Sequence, residues 1–94
     1  MKERITKNEE RLDNLLKSIK ELEISLSNFK NNKKDLYLLN KYYGSKNWFK
    51  DKENYEQRNI SNIKAGVLSE DAVWNMNEDI KDLIKEMKKI IKEF

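Results

Sequence analysis

Apolar residues recur at alternating steps of three and four near both ends of the chain, and this heptad spacing constrains the fold more than any other feature. It keeps one stripe of a helix facing a second helix, because a supercoiled helix presents about 3.5 residues per turn to its neighbour. The N-terminal stripe consists of Ile5, Leu12, Leu15, Ile19, Leu22, Leu26 and Phe29. The C-terminal stripe consists of Val73, Met76, Ile80, Leu83, Met87, Ile90 and Phe94. Two stripes in one short chain predict an all-α fold, an antiparallel hairpin of two long coiled-coil-like helices.

The first long helix is predicted over about residues 3–43. Asn8, Lys33 and Asn40 interrupt its apolar pattern. A polar residue on such a stripe costs stability but can fix the register of pairing, so a kink or slip near residues 31–34 is the weak point of this helix.

Glycine and serine pairs predict the remaining boundaries. Gly44 suits a left-handed helix end, and Ser45 can cap a short helix over residues 46–58 that closes the hairpin. Ile60 and Ile63 could add one helical turn that Gly66 stops. Ser69 is a good N-cap for the last helix, predicted over residues 69–93. All three helices are assigned to a single domain, residues 1–94.

The predicted helices differ in length, so the last helix covers only part of the first. The stripe near Ile5 and Leu12 is then left without a partner, and an exposed regular apolar stripe usually indicates that another chain binds there. A symmetric homodimer is the simplest solution. A frayed N-terminus or a different helical partner are the alternatives.

Composition excludes several classes of chemistry. The 94 residues include no Cys and no His, which removes disulfides, thiolate chemistry, the usual zinc ligands and His-based acid–base catalysis. The charged fraction of 39 % exceeds the apolar fraction of 37 %, a balance that suits an elongated coiled coil better than a compact globule. No cofactor, metal or small-molecule ligand is predicted.

The start of the chain lacks the apolar run of a signal peptide, and no segment approaches the roughly twenty apolar residues that a membrane span requires. We therefore expect a cytoplasmic protein that does not bind membranes. Frequent Lys, Asn and Ile suggest an AT-rich bacterial or phage genome.

A net charge of +3 predicts only weak general attraction to nucleic acid. Lysines are locally enriched in two places: Lys30, Lys33 and Lys34, and Lys46, Lys50 and Lys52 beside Trp48 and Phe49. Aromatic side chains can stack on the bases of a single strand while nearby basic residues attract its phosphates. A nucleic-acid-associated regulator or inhibitor is therefore the alternative function.

An aromatic cluster is concentrated around the predicted hairpin turn. It consists of Tyr42, Tyr43, Trp48, Phe49, Tyr55 and, from the last helix, Trp74. One interpretation is a small core that closes the hairpin, with hydroxyl and indole groups bonded locally. The other is a recognition patch, since Trp and Tyr dominate interface hot spots.

Carboxylates near this cluster do not form a convincing catalytic pair. Asp51 and Glu53 are two residues apart on a predicted helix, so they point in different directions. Neither glycine belongs to a nucleotide-binding pattern. The sequence therefore predicts a protein that is not an enzyme and has no catalytic residue.

Two blocks of sequence carry a family resemblance. They are Tyr-Tyr-Gly-Ser-x-x-Trp-x-x-Asp, from Tyr42 to Asp51, and Gly-Val-Leu-Ser-Glu-Asp-Ala, from Gly66 to Ala72. With them the chain resembles a family of small bacterial proteins, of about this length, classed as a domain of unknown function. The resemblance implies a helical fold and a bacterial origin, and it implies no activity.

Together these observations predict a non-enzymatic helical scaffold or protein–protein interaction protein. Its partner is expected to be a second copy or another helical protein. The candidate interaction surface consists of Ile5, Leu12, Tyr42, Tyr43, Trp48, Asp51 and Trp74.

Overall fold

The computed structural model describes residues 1–58 and 62–94, and this part of the chain is all-α, without a strand. Its elements are α1 (Lys2–Asn31), α2 (Lys33–Tyr42), α3 (Lys46–Arg58), a 3-10 turn (Gly66–Leu68) and α4 (Ala72–Glu93). The predicted fold class is confirmed at this level.

The predicted first helix is divided in two at Asn32. The Asn32 amide donates back to the carbonyl of Phe29 over 3.1 Å and closes α1. Its φ of −90° and ψ of 5° lie in the bridge region, outside helical geometry. Asn is a poor helix former because its amide competes for backbone hydrogen bonds, and here Asn31 and Asn32 stand together. A continuous helix over residues 3–43 was therefore wrong, and the break falls in the stretch where the stripe is interrupted.

The short helix begins and ends where the sequence predicts. Gly44 has a φ of 76°, the left-handed conformation that ends α2. The Ser45 hydroxyl oxygen accepts from the backbone amide of Trp48 over 3.2 Å, which caps the first turn of α3.

The last helix begins three residues later than predicted. Ser69 does act as a cap, because its hydroxyl oxygen accepts from the Ala72 amide over 3.0 Å. Ser69 itself is extended, however, and residues 70–71 form a turn before α4. The capping signal identified the correct residue, while the helix starts at the end of that turn.

The predicted extra helical turn of Ile60 and Ile63 falls partly on residues 59–61, so Ile60 lies outside the described residues. Ile63 lies in a bend. Gly66 begins the 3-10 turn rather than stopping a helix. This turn contacts both α3 and α4.

The structure consists of two compact units, Met1–Leu36 and Tyr37–Phe94. In the first unit, α1 has no buried residue. In the second unit the core centres on Trp48, 4 % exposed, and Val73, 3 % exposed. The single-domain organisation stays a prediction.

The antiparallel hairpin also stays a prediction. Large apolar side chains are exposed in the C-terminal half of α4, namely Leu83, Met87 and Ile90, and so is Phe94 directly after the helix. Close to its start, Val73 is buried and Met76 and Ile80 are half-buried. The C-terminal stripe is thus covered at its beginning and uncovered towards its end.

Candidate interaction surfaces

Trp48 is the centre of the aromatic cluster. Its indole meets the ring of Tyr43 edge-on at 5.2 Å between centroids, and that of Phe49 edge-on at 4.9 Å. Edge-to-face contacts are favourable because the positive rim of one ring meets the negative face of the other. The Trp48 Nε1–H donates to the Val67 carbonyl over 2.8 Å. This bond anchors the segment before α4 on α3, and it satisfies the single polar group of a buried side chain.

Lys52 and Glu70 form a charged bridge over the same indole. The Lys52 Nζ lies 5.2 Å from the centroid of the Trp48 ring, within cation–π range. It also lies 3.0 Å from Glu70 Oε1. The Tyr43 hydroxyl donates to the Glu70 carbonyl over 2.5 Å. Glu70 is therefore held through both its backbone and its side chain.

Tyr42 and Asp51 form a second polar link between α2 and α3. The Tyr42 hydroxyl donates to Asp51 Oδ2 over 2.7 Å. This hydrogen bond, together with burial and the nearby negative charge, raises the pKa of Tyr42 from 10.0 to about 12. The phenol therefore keeps its proton and donates a hydrogen bond at neutral pH. The Asp51 carboxylate, which belongs to the predicted interaction surface, is thus already bonded within the unit.

A pocket of about 280 Å³ lies beside this pair. Its lining combines the Tyr42 and Asp51 side chains with Asn54, Tyr55, Ile63, Lys64, Ala65, Val67 and Leu68. Asn54 and Tyr55 are half-buried here. The pocket is a concavity of the second unit that the sequence did not predict.

Exposed apolar side chains are concentrated elsewhere. Trp74 on α4 is 57 % exposed, and Phe49 is exposed on α3. On α1, every residue of the N-terminal stripe is exposed. Leu22, for example, is 58 % exposed, a large value for a side chain on a regular apolar stripe.

The seven predicted surface residues therefore divide into three groups. Tyr42, Tyr43, Trp48 and Asp51 lie around the α2–α3 boundary, where Tyr43 packs on the buried Trp48 and Tyr42 bonds to Asp51. Trp74 lies at the surface of α4. Ile5 and Leu12 are exposed on α1 in the first unit.

Sequence reasoning missed several contacts of the second unit. Lys52 was placed beside Trp48 on the short helix, but Val67 was not linked to the indole, because no local pattern relates residues 19 positions apart. Asn40 and Asn77 exchange two amide hydrogen bonds, of 3.2 and 2.8 Å, which join α2 to α4. The signal was present, because Asn40 is a polar residue at an otherwise apolar position of its helix.

The chain also matches a known protein family. A family model described as Domain of unknown function (DUF4298) matches residues 5–90. The chain belongs to this family. The resemblance to a helical family of unknown function is confirmed, while the two motif blocks and the bacterial origin stay predictions. Comparison with curated proteins and with solved structures gives no match.

Two further observations apply to this DUF4298 member. None of the helices within residues 1–58 and 62–94 is both long enough and apolar enough to cross a bilayer. In the same part of the chain, no three acidic side chains converge as a metal site would require.

Proposed function

We propose that this DUF4298 member is a non-catalytic helical interaction protein that associates with a second copy of itself through the N-terminal stripe of α1. The observation that carries the proposal is a helix of 30 residues that has no buried residue and whose heptad stripe is interrupted only at Asn8. The proposed setting is the bacterial cytoplasm. In this proposal the second copy binds by pairing its α1 with α1 of the first, and no small molecule or membrane takes part.

The free energy of association supports this proposal. Burying a large aliphatic side chain fully contributes about 1.5–3 kcal/mol, and the stripe residues are already about half covered by their own helix. The stripes of two copies would together contribute on the order of 10 kcal/mol. Loss of translational and rotational freedom costs about 4–15 kcal/mol. The two free energies are of similar size, so the stripe can support a weak dimer that forms at high protein concentration.

The nucleic-acid alternative has weaker support. Trp48 is buried, so its face is not free to stack on a base, and Lys52 is paired with Glu70. Phe49 and Trp74 remain exposed, but Asp51 and Glu53 lie close in sequence to Lys46 and Lys50 and nearly cancel their charge. Nucleic-acid binding is therefore less favoured than self-association, and the same set of experiments can detect it.

Two glutamate variants on α1 test the proposal, because the helix offers a matched pair. Leu22 lies on the N-terminal stripe and is 58 % exposed, whereas Ile24 lies off the stripe and is 54 % exposed. Leu22→Glu should convert the dimer to monomer, since it would bury a charge at the interface. Ile24→Glu should leave the dimer intact. Light scattering and sedimentation at several concentrations measure both.

Wild-type protein that stays monomeric at concentrations up to about 1 mM would refute the proposal, as would equal behaviour of the two variants. Near-ultraviolet circular dichroism from the tryptophans reports whether the second unit remains folded in each variant. A mobility shift with single- or double-stranded probes at low salt, lost as salt rises, would instead support the nucleic-acid alternative.

A further inference from the structure

We infer that two copies pair in parallel and in register along α1, so that each residue of the N-terminal stripe meets the same residue of the second copy. This inference rests on the proposed self-association and adds its geometry. Three features of α1 support it: the residue types at the heptad positions, the single polar residue on the stripe, and the charges that flank it.

The steps between stripe positions assign the heptad register. Ile5 is followed by Asn8 after three residues and by Leu12 after four more, so the stripe begins at an a position. The a positions are Ile5, Leu12, Ile19 and Leu26, and the d positions are Asn8, Leu15, Leu22 and Phe29. Isoleucine at a with leucine at d favours two-stranded parallel pairing, because each side chain then fits the packing geometry of its layer. The pair Ile19 and Leu22 follows this rule, and Ile5 is a second isoleucine at a, whereas Leu12 and Leu26 are leucines at a.

Asn8 discriminates between the two orientations. Its Nδ2 donates to the Arg4 carbonyl over 2.8 Å, and its Oδ1 accepts from Arg11 over 3.0 Å. One amide hydrogen remains available. In a parallel dimer this group faces Asn8 of the second copy, where the amides can bond to each other. In a fully overlapped antiparallel dimer it faces Leu26, which offers no polar partner.

The flanking charges favour the same orientation. In the parallel arrangement Arg4, at a g position, lies beside Glu9 of the second copy at the following e position, and these charges attract. In the overlapped antiparallel arrangement, Glu9 lies beside Glu23 of the second copy, and these charges repel. Because the dimer is symmetric, each of these charge pairs occurs twice.

An antiparallel dimer shifted by one heptad would pair Glu9 with Lys30 and remove the repulsion. This register requires Ile5 to pack against Leu36 of the second copy. However, α1 ends at Asn31 and Leu36 lies beyond the break at Asn32. The shifted dimer therefore leaves Ile5 without a partner in the helix, and the parallel arrangement uses the stripe in full.

Single cysteine variants test the orientation, since the chain contains no native Cys. Ile5→Cys and Phe29→Cys would each place two thiols at one layer of the parallel dimer, within the Cα separation of about 7 Å that a disulfide allows. In the overlapped antiparallel dimer two copies of residue 5 are separated by roughly 36 Å at 1.5 Å per residue.

In a glutathione redox buffer, each variant alone should give a disulfide-linked dimer. The two variants are then mixed in equal amounts, with a tag on one of them to distinguish their masses. Disulfides that join two copies of the same variant should exceed disulfides between the two variants by more than about tenfold, because only facing thiols have a high effective concentration. Ile24→Cys, on the outer side of α1, is the control and should remain unlinked.

Dominance of the mixed species in a protein that is dimeric by light scattering would overturn the parallel orientation while leaving the proposed self-association in place. A monomeric protein without links would overturn both. Asn8→Leu adds an independent readout: the thermal midpoint should rise while mixed species appear, because the polar layer no longer selects one orientation. Unchanged selectivity in Asn8→Leu would contradict the role given to this residue.

Discussion

The hydroxyl of Tyr42 links α2 to α3 through one hydrogen bond to Asp51. The neutral phenol donates this bond, whereas a phenolate would face a carboxylate of the same sign. The pKa of Tyr42 is about 12 in the folded protein against 10.0 as reference. Below pH 10 both the folded and the unfolded chain hold the proton, so the stabilisation is present in full. It falls as pH rises from 10 and is lost above about 12.

We expect Tyr42→Phe to lower the free energy of unfolding by about 1 kcal/mol at neutral pH, since it removes one partner of this bond. The difference from wild type should shrink as pH rises through the interval from 10 to about 12. Urea unfolding followed by tryptophan circular dichroism measures this.

Tyr37→Phe serves as the control for that experiment. Tyr37 is exposed on α2, so we expect its variant to unfold with the same pH dependence as the wild type. A constant difference between Tyr42→Phe and wild type across the alkaline range would contradict the hydrogen-bonded arrangement.

At the scale of elements, the backbone conformation of Gly44 sets the boundary between α2 and α3. Its φ of 76° is strained for any residue with a Cβ, although an added Cβ would meet no atom within 4 Å. The penalty of Gly44→Ala is therefore conformational, about 1 kcal/mol. We expect a thermal midpoint lower by about 4–8 °C, measured by circular dichroism.

Gly66 provides the matched comparison, because it also has open space around it but no left-handed backbone. Gly66→Ala should be neutral, or stabilising by up to about 1 kcal/mol through the unfolded chain. Equal losses in both variants would mean that the α2–α3 boundary does not depend on the Gly44 conformation.

Local signals explain how much of these elements the sequence predicts. Gly44, Ser45 and Ser69 act within a few residues of themselves, so their roles as helix end and caps are readable without tertiary information. The sequence located a weak point near residues 31–34, but the choice between a break and a continuous helix depends on small differences in helix propensity.

Long-range contacts account for what the sequence could not show. The bond from Trp48 to Val67 spans 19 residues and depends on how the segment before α4 folds back. The Asn40–Asn77 pair spans 37 residues, and nothing in the local pattern of either helix specifies the other. The aromatic cluster was thus predictable as a group, while its buried member and its pocket were not.

At the scale of the whole molecule, the two units differ in what stabilises them. The second unit has a core around Trp48 and Val73 and several hydrogen bonds between its elements. The first consists of α1, without a buried residue, followed by Asn32 and the start of α2. An unpaired helix is marginal in water, because most helical stability in proteins comes from packing of an apolar face.

We therefore expect the helix content of α1 to depend on protein concentration. If two copies stabilise each other, the thermal midpoint of the far-ultraviolet signal should rise by several degrees across a hundredfold increase in concentration, by mass action. The tryptophan signal of the second unit should change much less. Leu22→Glu should abolish the dependence. Midpoints that are independent of concentration for both signals would argue against association through α1.

The placement of the two tryptophans gives the molecule a built-in optical assay. Trp74 is open to collision with a dissolved quencher such as acrylamide, whereas the indole of Trp48 is shielded by its neighbouring rings and the lysine above it. Emission from the unlabelled chain should accordingly split into a fraction that dims readily and a fraction that persists. A partner that binds over Trp74 on α4 would protect the readily quenched emission. Partial unfolding of the second unit would expose Trp48 and make both tryptophans equally accessible to the quencher.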